Sequence, residues 1–120
     1  MRILVVDDNT DAADLMADIL RSMGHDVAIA NDGATGYERF LSFGPELAIL
    51  DLGLPEIDGY ALARRVRAEP RFATTPLIAL SGYAQAEDVA RSRAAGFTHH
   101  LAKPADWKRL EALLASHAQG

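Results

Sequence analysis

A chain of 120 residues is long enough to bury a self-sufficient core as one domain, residues 1–120, and a composition 49% hydrophobic and 24% charged excludes disorder and collagen-like repeats. Lys and Arg number 12 against 17 Asp and Glu, a net charge of −5 without any basic run, which argues against direct nucleic-acid binding. The absence of cysteine removes disulfides, thiolate metal sites and thiol catalysis. No apolar stretch approaches the roughly 18 residues of a membrane span, and Ile3 to Val6 runs into two aspartates where a signal peptide would continue its apolar core. The chain therefore reads as cytoplasmic, with no membrane contact.

In chain order, Ile3 to Val6 is an apolar run of strand length, followed by Leu15, Met16, Ile19, Leu20 and Met23 on one helical face. Thr10 or Asp11 is placed to cap that helix and Gly24 to end it. Val27 to Ala30 is a second strand. Asn31-Asp32-Gly33 turns into a helix carrying Tyr37, Phe40 and Leu41, which stops at Phe43-Gly44-Pro45. Leu47 to Leu50 is a third buried run. Asp58-Gly59 opens a helix bearing Leu62, Ala63 and Val66, and Leu77 to Leu80 is a fourth strand. A fourth helix bears Ala86, Val89, Ala90 and Ala94, facing the core with alanines and one valine, and ends near Gly96. Thr98 to Ala102 is a weaker fifth strand, and Trp107, Leu110 and Leu114 mark the last helix, with Trp107 as a packing residue. Only Ser116 to Gly120 follow, which leaves no room for an output domain.

Strands apolar on both faces and separated by helices predict an α/β fold, a parallel sheet with helices on each side. Right-handed crossovers leave few topologies, and ligands bind such sheets beyond the carboxyl ends of the strands. The residues that follow the apolar runs are Asp7 and Asp8, then Asp51, then Ser81, then Lys103. Carboxylates gathered on one edge repel one another unless a cation joins them, and an oxygen-only set without His or Cys favours magnesium. Asp is also a known phosphoryl acceptor, and a lysine ammonium with a serine hydroxyl suits the oxygens of a transferred phosphoryl group.

Val5-Val6-Asp7-Asp8-Asn9, Asp51-Leu52-Gly53-Leu54-Pro55 leading to Asp58-Gly59, Leu80-Ser81-Gly82 and Lys103-Pro104 together resemble the receiver domains of response regulators, over essentially residues 2 to 115. That resemblance implies a flavodoxin-like doubly wound (βα)5 fold with a parallel sheet of order 2-1-3-4-5. It implies that Asp51 is phosphorylated, and that Asp8, Asp51 and the Gly53 carbonyl bind Mg2+ with Asp7 acting largely through water. Ser81 would turn toward the phosphoryl group on activation, Lys103 would pair with it, and the Lys103-Pro104 bond would be cis. The partner implied is a histidine kinase or a histidine phosphotransfer protein. The domain would phosphorylate and dephosphorylate itself without turning over a metabolite. Ser81-Gly82-Tyr83 with Ala95-Gly96-Phe97 and His99-His100-Leu101 is more similar to receivers attached to hybrid sensor kinases than to those of transcription factors. The sequence departs from the family at His100, three residues before Lys103, where Tyr or Phe usually serves as a rotameric switch; imidazole is smaller, polar and titrates near neutrality.

Taken singly, these residues have ordinary uses. Asp7 or Asp8 could cap the first helix, Ser81 could sit in a turn, and Lys103 could be a solvated charge. Asp58 suits an N-cap. His99 and His100 are poorly placed as a metal pair, since neighbours in a strand face opposite ways. A dehalogenase-like phosphatase would want its two first-strand aspartates separated by one residue, where this chain has Asn9 two after Asp7. A flavin carrier would want a hydroxyl- and glycine-rich phosphate loop where Asp7-Asp8-Asn9 stands.

Overall fold

The structure is a computed structural model that describes residues 1–54, 57–82, 86–103 and 106–118, without the side chains of 86–88 and 118. Its elements are β1 (Arg2–Val6), α1 (Thr10–Ser22), β2 (Asp26–Ala30), α2 (Gly33–Phe43), β3 (Leu47–Asp51), α3 (Gly59–Ala68), a 3-10 turn (Pro70–Phe72), β4 (Leu77–Ser81), α4 (Ala86–Ala95), β5 (His99–Ala102) and α5 (Trp107–Ala118). The five strands pair in parallel in the order β2-β1-β3-β4-β5. The chain thus leaves β1 on one side to make β2 and on the other to make β3. Aligned pairs such as Val6 with Ala30 and with Leu50, Asp51 with Leu80, and Ser81 with Ala102 bring the carboxyl ends of the strands level.

Side-chain alternation explains why continuous apolar runs were required. Leu4, Val6, Ala48, Leu50, Leu77 and Ala79 pack under α2 and α3 with Phe40, Leu62, Ala63 and Val66. Ile3, Val5, Leu47, Ile49, Ile78, Leu80 and Leu101 pack against α1 and α5 with Ala13, Met16, Leu20, Leu110 and Leu114. The inner strands β1, β3 and β4 bury both faces, so none of them could have alternated with polar residues. The edge strands β2 and β5 are only partly buried, and β5 carries His99 and His100.

Some helix positions differ from the periodicity reading. Helix α1 buries Ala13, Met16, Ala17 and Leu20, whereas Leu15 is 60% exposed and Met23 37% exposed. The small Ala13 and Ala17 let the helix lie close to the sheet, which rotates Leu15 outward. Its cap is Asn9, whose side chain accepts from the Ala12 amide at 3.1 Å, in place of Thr10 or Asp11. Helix α4 buries Ser92 and Ala95 and exposes Ala90 and Ala94. Leu41 and Trp107 are also exposed in part. Asp58 does cap α3, accepting from Ala61 at 2.8 Å. Among the described residues no helix is long and apolar enough to cross a membrane.

Arg67 ties the α3 side of the sheet together. Its Nε donates to the Gly96 carbonyl at 2.9 Å and one terminal nitrogen donates to the Phe72 carbonyl at 2.7 Å. Gly96 has φ +109, and an added Cβ there would lie 2.6 Å from Arg67 Cγ, so both the conformation and the space demand glycine. Arg67→Met keeps the stem but leaves two carbonyls without these charged donors. The expected cost is about 2 kcal/mol in urea unfolding, at unchanged m-value; a loss under about 0.5 kcal/mol would mean that water replaces both bonds.

Candidate functional site

The switch point between β1 and β3 is where carboxylates meet. Asp7 follows β1 directly, and its amide donates to Ala30 O at 3.0 Å. Its carbonyl accepts from the Asn31 side chain and its Oδ1 from the Asn9 amide, so the turn is fixed from both sides. Asp51 is the last residue of β3. Oxygens of Asp7, Asp8 and Asp51 all lie within 4.8 Å of one another. Asp7 and Asp51 are only 4% and 5% exposed, and Asp8 is exposed.

Helix α3 closes on this edge through Gly59. A Cβ there would sit 2.5 Å from the Asp51 carbonyl oxygen, so any larger residue would displace the end of β3. The Asp51 carboxylate is held at both oxygens: Oδ1 accepts from the Gly53 amide at 2.9 Å, and Oδ2 from Lys103 Nζ at 2.8 Å. Lys103 also lies 4.0 Å from Asp7 Oδ2. Its position follows from β5, since its amide donates to Ser81 O at 2.7 Å just past the strand end.

Charge balance at the site is negative. Burial pushes the Asp7 carboxyl up, and the nearby Asp51 charge adds to this against the opposing Asn9 hydrogen bond and Lys103. Burial alone would pull the Lys103 ammonium down, but its hydrogen bond and attraction to Asp51, with Asp7 and Asp8 beyond, leave it raised. One ammonium facing three carboxylates leaves room for a divalent cation, and the donors are all oxygen. The residues fit magnesium on that ground.

Ser81, the end of β4, lines a cavity of about 480 Å³ with Asp51, Gly53, Tyr60, Arg91 and Lys103. Its Oγ, however, is 2.9 Å from His100 Nε2, so the hydroxyl is engaged with β5. His100 Nδ1 lies 3.2 Å from the Oγ of Ser92, which is 1% exposed. Ser92 donates its own proton to Val89 O at 2.8 Å. Ser92 Oγ can therefore only accept from His100, which places the ring proton on Nδ1. In the neutral ring Nε2 is then an acceptor, and Ser81 donates to it. Pro104 falls outside the described residues.

The structure thus brings Asp7, Asp8, Asp51, Gly53, Ser81 and Lys103 to one edge of the sheet. Ser92 and Arg91 were not anticipated. A serine among alanines in a helix gives no sequence signal. Arg91, whose guanidinium sits 4.0 Å from the Tyr60 ring centroid, reads as one more surface charge.

A parallel sheet of this strand order with an acidic site at its switch point defines a flavodoxin-like domain. The family model described as "Response regulator receiver domain" matches residues 3–115, and the chain belongs to that family. It is a receiver domain of two-component signalling. An uncharacterized 14.6 kDa protein from the sodA1 3' region of Leptolyngbya boryana is 39% identical over 88% of this chain and 81% of its own length. The Synechocystis regulator RpaA, described as a DNA-binding dual master transcriptional regulator, is 35% identical over 88% of this chain. The Escherichia coli histidine-protein kinase BarA is 29% identical over the whole chain. This chain spans only 44% and 13% of those two proteins. A putative response regulator from Chloroflexus aurantiacus superposes with a TM-score of 0.92 at 29% identity, covering 99% of this chain and 98% of that one. The receiver domain of sensor histidine kinase PA1611 from Pseudomonas aeruginosa, solved with a magnesium ion coordinated in the active site cleft, gives 0.89 at 29% identity and the same coverage.

The charge crowding has a measurable consequence. Asp7→Asn keeps an acceptor for the Asn9 amide and removes one buried negative charge. In chelator the variant should be more stable than the parent by about 1 kcal/mol, and stabilisation by millimolar magnesium should shrink. A less stable variant would show that the Asp7 attraction to Lys103 outweighs the repulsion.

Proposed function

We propose that the domain is a phosphorylation-switched signalling receiver in which Asp51 accepts a phosphoryl group from the phosphohistidine of a histidine kinase or a histidine phosphotransfer protein. The observation that carries this reading is the Asp51 carboxylate itself, buried, held at both oxygens, and opening on a cavity that Ser81 and Lys103 also line. Asp8, Asp51 and the Gly53 carbonyl would hold Mg2+, with Asp7 acting through water. When bound, the ion offsets the charge of the carboxylates and of the incoming phosphoryl oxygens.

In the transfer, an Asp51 oxygen bonds to phosphorus, the P–N bond of the donor breaks, and the leaving imidazole takes up a proton. Gly53 N–H and Lys103 Nζ fix the attacking carboxylate in place beforehand. Lys103 then exchanges part of its pairing with the carboxylate for the new phosphoryl oxygens. Water attack on the same phosphorus returns Asp51 and phosphate, so the domain turns over nothing but its own acyl phosphate.

The switch follows from the proton positions. Ser81 has one hydroxyl proton, and donating it to a phosphoryl oxygen removes it from His100 Nε2. His100 is also bonded to Ser92, so the change reaches α4, and the surface of α4, β5 and α5 responds. His100 thus takes the place of the usual aromatic switch, working through hydrogen bonds as well as shape.

The direct test is intact mass after incubation with magnesium and acetyl phosphate. Wild type should gain one phosphoryl group, base-labile and lost with chelator, and Asp51→Asn should gain none; equal labelling of both would falsify the assignment. For the switch, beryllofluoride with magnesium should shift the His100 ring and the amides of α4. Ser92→Ala should remove most of the α4 response while leaving the shift at Lys103 intact. Unchanged α4 shifts in that variant would mean that coupling runs by another route.

A further inference from the structure

The chain carries a net charge of −5, yet a cavity of about 290 Å³ between α4, β5 and α5 is lined by Arg93, His99, His100 and Arg109 together with Ser92 and Thr98. No acidic side chain lines it among the described residues. The Arg93 and Arg109 guanidinium groups have no ion-pair partner among the described residues either, and both residues are exposed. Two arginines converging on one concavity in an acidic protein make a local charge opposite in sign to the whole.

A second feature adjoins it. His99 Nε2, from β5, lies 2.9 Å from the Nε2 of His117 in the last turn of α5. At that distance one proton sits between the two nitrogens. The pair can hold one further proton, on the donor ring, without losing the bond; a second would put hydrogens on both nitrogens and break it. Among the described residues, the charged and titratable groups facing the pair and the cavity are Arg93 from α4, His100 from β5 and Arg109 from α5. Desolvation pushes the His99 imidazole down, and His117 and Arg109 push it the same way.

We propose that this cavity is the docking site for an acidic segment of a partner protein, whose Asp or Glu carboxylate enters between Arg93 and Arg109. The cavity is roomy enough to admit an Asp or Glu side chain, and guanidinium forks bind carboxylates in bidentate fashion. An entering carboxylate offsets the arginine charges, and the His99–His117 pair then takes up a proton. Binding therefore tightens as pH falls, by up to about tenfold per unit for the one proton gained. Without the partner the sign on stability is reversed: an imidazole pushed down in the folded state is a site that unfolding lets protonate, so stability is lost as pH drops through about 6.5.

This inference deepens the reading of α4, β5 and α5 as the output surface, and its test needs no phosphoryl group. The unphosphorylated protein is titrated with a capped hexaglutamate peptide and followed by NMR, at about pH 8 and about pH 6. Saturable shifts should centre on Arg93, His99, Arg109 and His117, and should occur at several-fold lower peptide concentration at the lower pH. A capped hexaglutamine peptide should give none. Arg93→Ala/Arg109→Ala should abolish the shifts while leaving the spectrum elsewhere intact, and His99→Gln should retain binding but lose most of its pH dependence.

The proposal is overturned if no saturable shifts appear at these residues, or if the double variant binds as well as the parent. It is equally overturned if inorganic phosphate reproduces the shifts at the same affinity, since the cavity would then hold any small anion. Acetyl phosphate labelling of Asp51 in the same preparation keeps the two readings apart: labelling without peptide binding removes the docking site alone, and binding without labelling removes the phosphoryl switch alone.

Discussion

The hydrogen bond from Lys103 to Asp51 is the point where chain topology and charge meet. It joins residues 52 apart in sequence, one ending β3 and the other just beyond β5, with all of β4 lying between their strands. It exists only if the strands end level, and they end level only if the parallel pairings between them hold register. The site therefore reports on the whole sheet. A slip of one residue in β5 would also exchange the inward and outward faces of His99 and His100.

That constraint explains the division of labour among the helices. Helices α1 and α5 pack with leucines and methionine on one face, and α2 and α3 pack with aromatic and aliphatic residues on the other. Helix α4 contributes Ala95 to the buried core and uses Ser92 for a hydrogen bond. Among its described side chains α4 is otherwise held by Arg91 over the Tyr60 ring, and it buries little apolar area against the sheet.

Much of this was legible before the structure. Apolar runs followed by Asp7 and Asp8, Asp51 and Ser81, with Lys103 soon after the weaker fifth strand, pointed to one edge of the sheet, since ligands bind such sheets beyond the carboxyl ends of the strands. What escaped were features without contrast. Leu15 was assigned to the buried face of α1 because leucine outweighs alanine in any hydrophobic count, but the close approach to the sheet is made by Ala13 and Ala17. Ala90 and Ala94 were assigned to the core of α4 for the same reason, while Ser92 was passed over as polar. Asn9 took the cap from Thr10 and Asp11 because the Asp7 hydrogen bond to its amide already turns the chain there.

The departure at His100 acquires its meaning from these contacts. A phenylalanine ring at this position could fill or vacate space but could not accept a hydrogen bond from Ser81, and a tyrosine could accept one only through its distal hydroxyl. With imidazole the Ser81 hydroxyl has a chemical partner, and in the proposed switch an incoming phosphoryl group would compete for it. The competition is uneven in kind: a neutral O–H to nitrogen bond is exchanged for a charge-assisted one, which is roughly twice as strong. Under that proposal the serine would have a definite resting position and a stronger active one, a two-state element rather than a graded loosening. The neighbouring His99 bonds instead to His117, so β5 gives one imidazole to Ser81 at the carboxylate edge and the other to α5.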